Sequence, residues 1–92
     1  MSFLYELQNI IEQRKLHPVD SSYTSNLFKA GEDEITKKIG EEAVELIVAV
    51  KGQGDERIVS ETADLLYHVI VLLVQRGLTF ESVENELQRR KR

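Results

Sequence analysis

Two pairs of carboxylates share one spacing: Glu42 with Glu45, and Glu61 with Asp64, each pair three residues apart. On a helix, residues three apart lie on the same face, so each pair presents two carboxylates to one side. Two antiparallel helices carrying these pairs would bring all four groups together. Carboxylates so close repel one another and raise their own pKa values unless a multivalent cation sits among them. An all-oxygen donor set favours Mg²⁺, with Mn²⁺ as the second choice.

The position of Glu42 makes this more than a generic acidic surface. Residues 33 to 50 read as a helix with Ile35, Ile39, Ala43, Leu46 and Val50 on one face. At roughly 100° per residue, Glu42 falls between Leu46 and Ala49, inside that apolar stripe. A glutamate there is costly to bury unless its charge is compensated. Lys38 and Glu45 flank it, and Glu41 lies beyond them. The next helix repeats the pattern, with Arg57, Glu61, Asp64 and His68 in one polar seam beside the face of Ile58. Solvated faces explain each glutamate singly but not the two coincidences together. His68 serves equally as a packing or a functional histidine. Gly40, about 1 kcal/mol worse than alanine inside a helix, either admits close approach of a helix or ligand or is merely tolerated. Tyr67 and Phe28 read first as core.

These side chains need helices to hold them. Ser2 can cap a helix over residues 2 to 16, and Pro18 disfavours helix at His17. A polar loop over 19 to 26 leads into one or two helical turns across Leu27 to Ala30, closed by Gly31. After the helix over 33 to 50, Gly52-Gln53-Gly54 forms a turn. Asp55 caps a helix that reaches Arg76 and stops at Gly77. A last helix runs from Thr79 to about Arg89, with Leu78 and Val83 placed as a hydrophobic staple. No strand pattern competes. The expected fold is all-α, a four-to-five-helix antiparallel bundle forming one domain over residues 1 to 92. Leu65, Leu66, Tyr67 and Val69 to Val74 put apolar groups almost all round the third long helix, and such a helix must be buried on all sides. One neighbour cannot do that, and a core of this size is stable only narrowly. The core is therefore expected to be completed by homodimerisation.

Composition removes several classes of function. At 41% hydrophobic and 30% charged, the chain is too apolar for disorder and too charged for a membrane protein. The uninterrupted apolar run Val69 to Val74 is too short to span a bilayer. The absence of cysteine excludes disulfides and Cys-based zinc sites. The first residues lack a signal-peptide pattern, and a cytoplasmic location is expected. Net charge is −4, and without the basic tail Arg89 to Arg92 there remain 8 basic against 16 acidic residues. Such a body repels nucleic-acid backbones, so phosphates would bind through a cation. The tail itself reads as a solvated terminus. Gly52-Gln53-Gly54 is followed by Asp55 and is no P-loop. Two histidines at 17 and 68 offer no triad, and there is no nucleophile elbow. A di-iron bundle site needs Glu-x-x-His, whereas residue 65, three before His68, is leucine.

The run Lys38-Ile39-Gly40-Glu41-Glu42-Ala43-Val44-Glu45, followed by Glu61-Thr62-Ala63-Asp64-Leu65-Leu66-Tyr67-His68, resembles phosphoribosyl-ATP pyrophosphohydrolases. Ser22-Tyr23-Thr24, Lys29 and Gly31 upstream, and Arg76-Gly77-Leu78 downstream, extend the likeness over most of residues 3 to 90. The broader all-α, MazG-like superfamily shares the two acidic pairs. The resemblance implies hydrolysis of the α,β anhydride of phosphoribosyl-ATP, giving phosphoribosyl-AMP and pyrophosphate, the second step of histidine biosynthesis. The family is often fused to the cyclohydrolase of the next step, which 92 residues do not accommodate, so the product is expected to pass to another protein. By this likeness Glu42, Glu45, Glu61 and Asp64 ligate Mg²⁺, and Glu41 or Glu45 orients or deprotonates the attacking water. Lys29 and Lys38 contact phosphate, and Tyr23 and Thr24 contact the substrate. Two other readings are a house-cleaning nucleoside triphosphate pyrophosphatase using the same metal chemistry, and a non-catalytic helical dimerisation module. The Ser22-Tyr23-Thr24 segment favours the first assignment.

Overall fold

The computed structural model describes residues 2–91. Met1 and Arg92, the latter in the basic tail, lie outside them. Five helices account for the fold, and no strand occurs among the described residues: α1 (Phe3–Leu16), α2 (Tyr23–Ala30), α3 (Glu32–Gly52), α4 (Asp55–Gln75) and α5 (Phe80–Arg89).

The caps explain most boundaries. Ser2 accepts from the Leu4 N–H, Ser22 from the Ser25 N–H and Thr79 from the Ser82 N–H, each satisfying a donor that the first turn leaves free. The α4 C-terminus closes with Gly77 at φ +71°: Leu78 N–H reaches the Leu73 carbonyl at 2.7 Å and Gly77 N–H the Val74 carbonyl at 3.0 Å. This six-to-one and five-to-two pairing needs the left-handed residue that glycine adopts freely. Lys15 adds a further cap, its ammonium donating to the Val74 carbonyl at 3.3 Å.

Three expected boundaries move. The loop over 19 to 26 is shorter than its polar composition suggested, because Ser22 caps α2 and starts it at Tyr23. Gly54 rather than Asp55 is the α4 N-cap, and Asp55 instead places its charge in the first turn, where the helix dipole favours it. Gly52, expected just beyond α3, is its last residue.

Ile11, Leu27, Ile35, Ile70, Val71 and Val74 form the core, with Leu4, Leu7, Ile39, Leu66, Tyr67 and Phe80 among the residues packed against it. On α3 the buried stripe is rotated from the expected one, with Ala49 fully buried and Val50 59% exposed. The central packing is the α3–α4 hairpin across the Gly52–Gly54 turn, and α1 also lies against α4. Ser25 fixes the α1–α2 connection, donating to the Arg14 carbonyl and accepting from the Val19 N–H. The guanidinium of Arg76 grips both carboxylate oxygens of Glu32, tying the start of α3 to the end of α4.

A single chain leaves much of α4 uncovered. Its most apolar 18-residue window has a mean hydropathy of 1.5, enough by length and composition to cross a bilayer, yet only 28% of that window is buried. Buried Glu61 and His68 on the same helix mark it as the centre of a bundle rather than a lipid-facing span. Val44, Ile47 and Val48, at helical spacing on α3, form an exposed apolar stripe. A Cβ at Gly40, one turn earlier, would meet nothing within 4 Å, so no helix of the same chain presses against it.

Candidate metal and nucleotide site

The α3–α4 hairpin brings Glu42, Glu45 and Glu61 together, with one carboxylate oxygen from each lying within 4.8 Å of the others. Glu42 and Glu45 reach across from one face of α3, and Glu61 meets them from α4. Asp64, a turn further along α4, stands outside this tight trio and is exposed. Its charge nonetheless reaches both Glu42 and Glu61.

The trio bears the electrostatic mark of an uncompensated cluster. Partial burial, and then a carboxyl–carboxylate hydrogen bond and the charge of Glu45, push the Glu42 carboxyl up to about 7, with Asp64 and Glu61 adding to the effect. Glu61, whose side chain is only 4% exposed, is also raised, chiefly by desolvation and then by Glu45 and Asp64. The Arg57 guanidinium, 3.4 Å away and half exposed, opposes that rise. One surface cation among so many acids is too little to balance them. The donor set, oxygen only and partly desolvated, fits a hard divalent cation.

An open hollow of about 760 Å³ lies along α3 beside this seam, lined by Lys38, Gly40, Glu41, Glu42, Val44 and Glu45. Glu41 points into it from an exposed position and pairs with the Lys38 ammonium at 3.4 Å. Glu41 holds the Lys38 pKa above its ordinary value, with the Tyr23 phenol and Glu34 adding to the effect. Tyr23 is raised by its own burial, against the pull of Lys38. Lys38 thus carries a charge felt both by Glu41 on its own helix and by Tyr23 of α2.

The first turn of α2 carries Tyr23 and Thr24, which reach consecutive residues of α4. The Tyr23 hydroxyl lies 2.9 Å from His68 Nε2, and the Thr24 hydroxyl hydrogen-bonds the Tyr67 hydroxyl. The rings of Tyr23 and Tyr67 stack, and His68 meets each edge-on. Residue types alone gave no sign of this α2–α4 link. Ser22, three residues before a backbone donor it could cap, was the available signal that Tyr23 opens a helix. Lys29 is placed elsewhere: it shares a separate pocket with Arg14, Lys15, Pro18 and Phe28.

The family model described as phosphoribosyl-ATP pyrophosphohydrolase matches residues 4–91. A phosphoribosyl-ATP pyrophosphatase of Lactiplantibacillus plantarum is 52% identical over 91 residues, covering 99% of this chain and 86% of its own length. One from Metallosphaera sedula is 49% identical over 87 residues, covering 95% of this chain and 94% of the relative. The histidine biosynthesis bifunctional protein HisIE of Pyrococcus furiosus is 52% identical over 92 residues, and there the match spans 43% of the longer protein.

Proposed function

The chain belongs to the phosphoribosyl-ATP pyrophosphohydrolase family, and from that premise we propose that its acidic seam binds Mg²⁺ and hydrolyses phosphoribosyl-ATP to phosphoribosyl-AMP and pyrophosphate, in the second step of histidine biosynthesis. The observation that carries the metal assignment is the convergence of Glu42, Glu45 and Glu61 within 4.8 Å, with Glu42 pushed to about 7 by partial burial and then by its acidic neighbours. Mn²⁺ would satisfy the same ligands.

Glu42, Glu45 and Glu61 would hold the ion, and Asp64 would complete the negative field from α4. When bound, such an ion neutralises charge on the leaving pyrophosphate and lowers the pKa of water. The chain supplies the rest. Arg57 restrains the buried Glu61 without filling the cavity. Glu41 and Glu45 are both exposed on the cavity wall, so either can orient the attacking water or take its proton. Lys38 offers its ammonium to phosphate oxygens once Glu41 turns toward water. Lys29, in its separate pocket, makes no contact within this cavity in the single chain.

The same reading has the protein working as a homodimer in the cytoplasm. Its accessible surface, 6549 Å², exceeds the roughly 5,500 Å² expected of a monomer of 10.6 kDa. The excess, about 1,100 Å², is close to what one partner contributes to a standard interface. The radius of gyration, 14.2 Å, likewise exceeds the roughly 12 Å expected of a compact chain of this length. The Val44–Ile47–Val48 stripe borders the cavity through Val44, so a second copy seated there would wall the site.

The test is pyrophosphate release by the purified chain with Mg²⁺, comparing phosphoribosyl-ATP with ATP, dUTP and damaged triphosphates. Selective turnover of phosphoribosyl-ATP, lost with EDTA, is the expected result. Preference for another triphosphate would move the site to house-cleaning chemistry. No release by a folded dimer would favour a non-catalytic module.

A further inference from the structure

His68 is 5% exposed, sits in the middle of α4, and takes no part in the carboxylate cluster. Both of its ring nitrogens are engaged. Nδ1 lies 2.7 Å from the Asp64 carbonyl oxygen, and Nε2 lies 2.9 Å from the Tyr23 hydroxyl. A carbonyl can only accept, so Nδ1 must carry a proton. In the neutral imidazole Nε2 is then an acceptor, and the Tyr23 hydroxyl must donate to it. The proton of Tyr23 is thereby committed to His68, and its oxygen is left with acceptor capacity only.

We propose that His68 is a positioning residue for substrate: locked as the Nδ1–H tautomer by the Asp64 carbonyl, it accepts the hydrogen bond of the Tyr23 hydroxyl and so holds Tyr23, at the first turn of α2, as an acceptor-only group. This deepens the reading of the cavity as a nucleotide site and rests on it. Three features support it. The link joins α2, which supplies Tyr23, to the turn of α4 that directly follows Asp64. Tyr23 is 52% exposed, so packing on Tyr67 and His68 covers only part of it, and the bond adds the constraint on its hydroxyl. The adjacent Thr24–Tyr67 bond holds the backbone of the same turn, which leaves the Tyr23–His68 bond to set the orientation of the phenol.

The consequence is a binding effect with little change in chemistry. A phenol free to rotate could turn its proton elsewhere or take the place of a phosphate contact, and substrate would have to reorder it on binding. Two substitutions separate the two ends of the histidine. His68→Asn keeps an amide able to donate near Nδ1 but loses the acceptor for Tyr23. His68→Gln carries its amide out toward the Nε2 position, where its oxygen can accept from Tyr23.

The experiment measures KM and kcat for phosphoribosyl-ATP in wild type, Tyr23→Phe, His68→Asn, His68→Gln and the Tyr23→Phe/His68→Asn double variant, alongside ¹⁵N NMR of the imidazole. The expected result is a KM raised about ten-fold in Tyr23→Phe and in His68→Asn with kcat within about two-fold, since one oriented hydrogen bond is at stake. The double variant should be no worse than either single one, and His68→Gln should recover most of the loss. The wild-type spectrum should show a protonated Nδ1 and a bare Nε2. Additive losses, an unchanged KM in His68→Asn, or a proton resting on Nε2 would each overturn the proposal. If wild type turns over no nucleotide, the functional reading fails on its own, and the NMR tautomer still decides whether His68 orders Tyr23.

Discussion

Glu42→Gln removes one charge from the acidic trio and almost no volume, so it tests the cost of holding that charge, set first by partial burial and then by repulsion within the cluster. In wild type the Glu42 carboxyl is raised from 4.5 to about 7. At 1.36 kcal/mol per unit, the ionised form is disfavoured in the folded protein by about 3 kcal/mol as an upper limit. The side chain is only part-buried, and solvent screening reduces this to about 1–2 kcal/mol. Because the folded value lies above the unfolded one, the favourable state exists below pH 4.5 and is lost as pH rises through 7. In EDTA at pH 8, where wild-type Glu42 is ionised, Glu42→Gln should therefore be more stable, with Tm raised by about 5–10 °C for a chain of this size. Near pH 4 the difference should vanish. Adding Mg²⁺ at pH 8 should raise the Tm of wild type and leave the variant nearly unmoved, while the variant loses turnover. Thermal unfolding followed by circular dichroism, with and without EDTA, measures all of this. A variant less stable than wild type in EDTA at pH 8 would refute the reasoning, because it would make Glu42 a partner in a stabilising ion-pair network.

Asp64→Asn should lower turnover by about 100-fold or more while circular dichroism stays helical, since it weakens the field at the developing charge rather than the packing. Ile70→Ala, at a fully buried core position, should cost about 2–5 kcal/mol in urea unfolding. Ile47→Asp, on the exposed α3 stripe, should convert the proposed dimer to monomer in analytical ultracentrifugation; a variant as dimeric as wild type would place the interface elsewhere, and a monomeric wild type would refute the dimer.

Much of the site was legible because helical periodicity is a strong signal in long elements. Glu42 inside an apolar stripe, with two acidic residues at matching spacing on the next helix, was readable from residues 33 to 76 alone. The structure brings Glu42, Glu45 and Glu61 together as that spacing implied, and leaves Asp64 a turn to the side. The stripe itself was read one position off, at Val50 rather than Ala49, because α3 leaves apolar groups on a second, solvent-facing side that periodicity cannot tell from the core. The shortest helix was the hardest: Tyr23-Thr24-Ser25-Asn26 has turn-like composition, and only its tertiary anchors to Tyr67 and His68 and the Ser22 cap make it helical. Lys29 shows the same limit, since the direction of α2 carries it to the Arg14–Lys15 side.

The α3–α4 hairpin also sets when the chain meets its own charge. Glu45 and Glu61 are sixteen positions apart across one tight turn, so their approach belongs to the short-range contacts that form early in folding. Repulsion among the acids then acts on the barrier that the chain crosses, before the α1 and α5 contacts are made. A divalent ion present during refolding should speed the crossing, which a stopped-flow rate insensitive to Mg²⁺ would contradict. Under the proposed metal assignment the acidic seam would act also as a kinetic checkpoint, tying the speed at which the folded protein appears to the ion it binds.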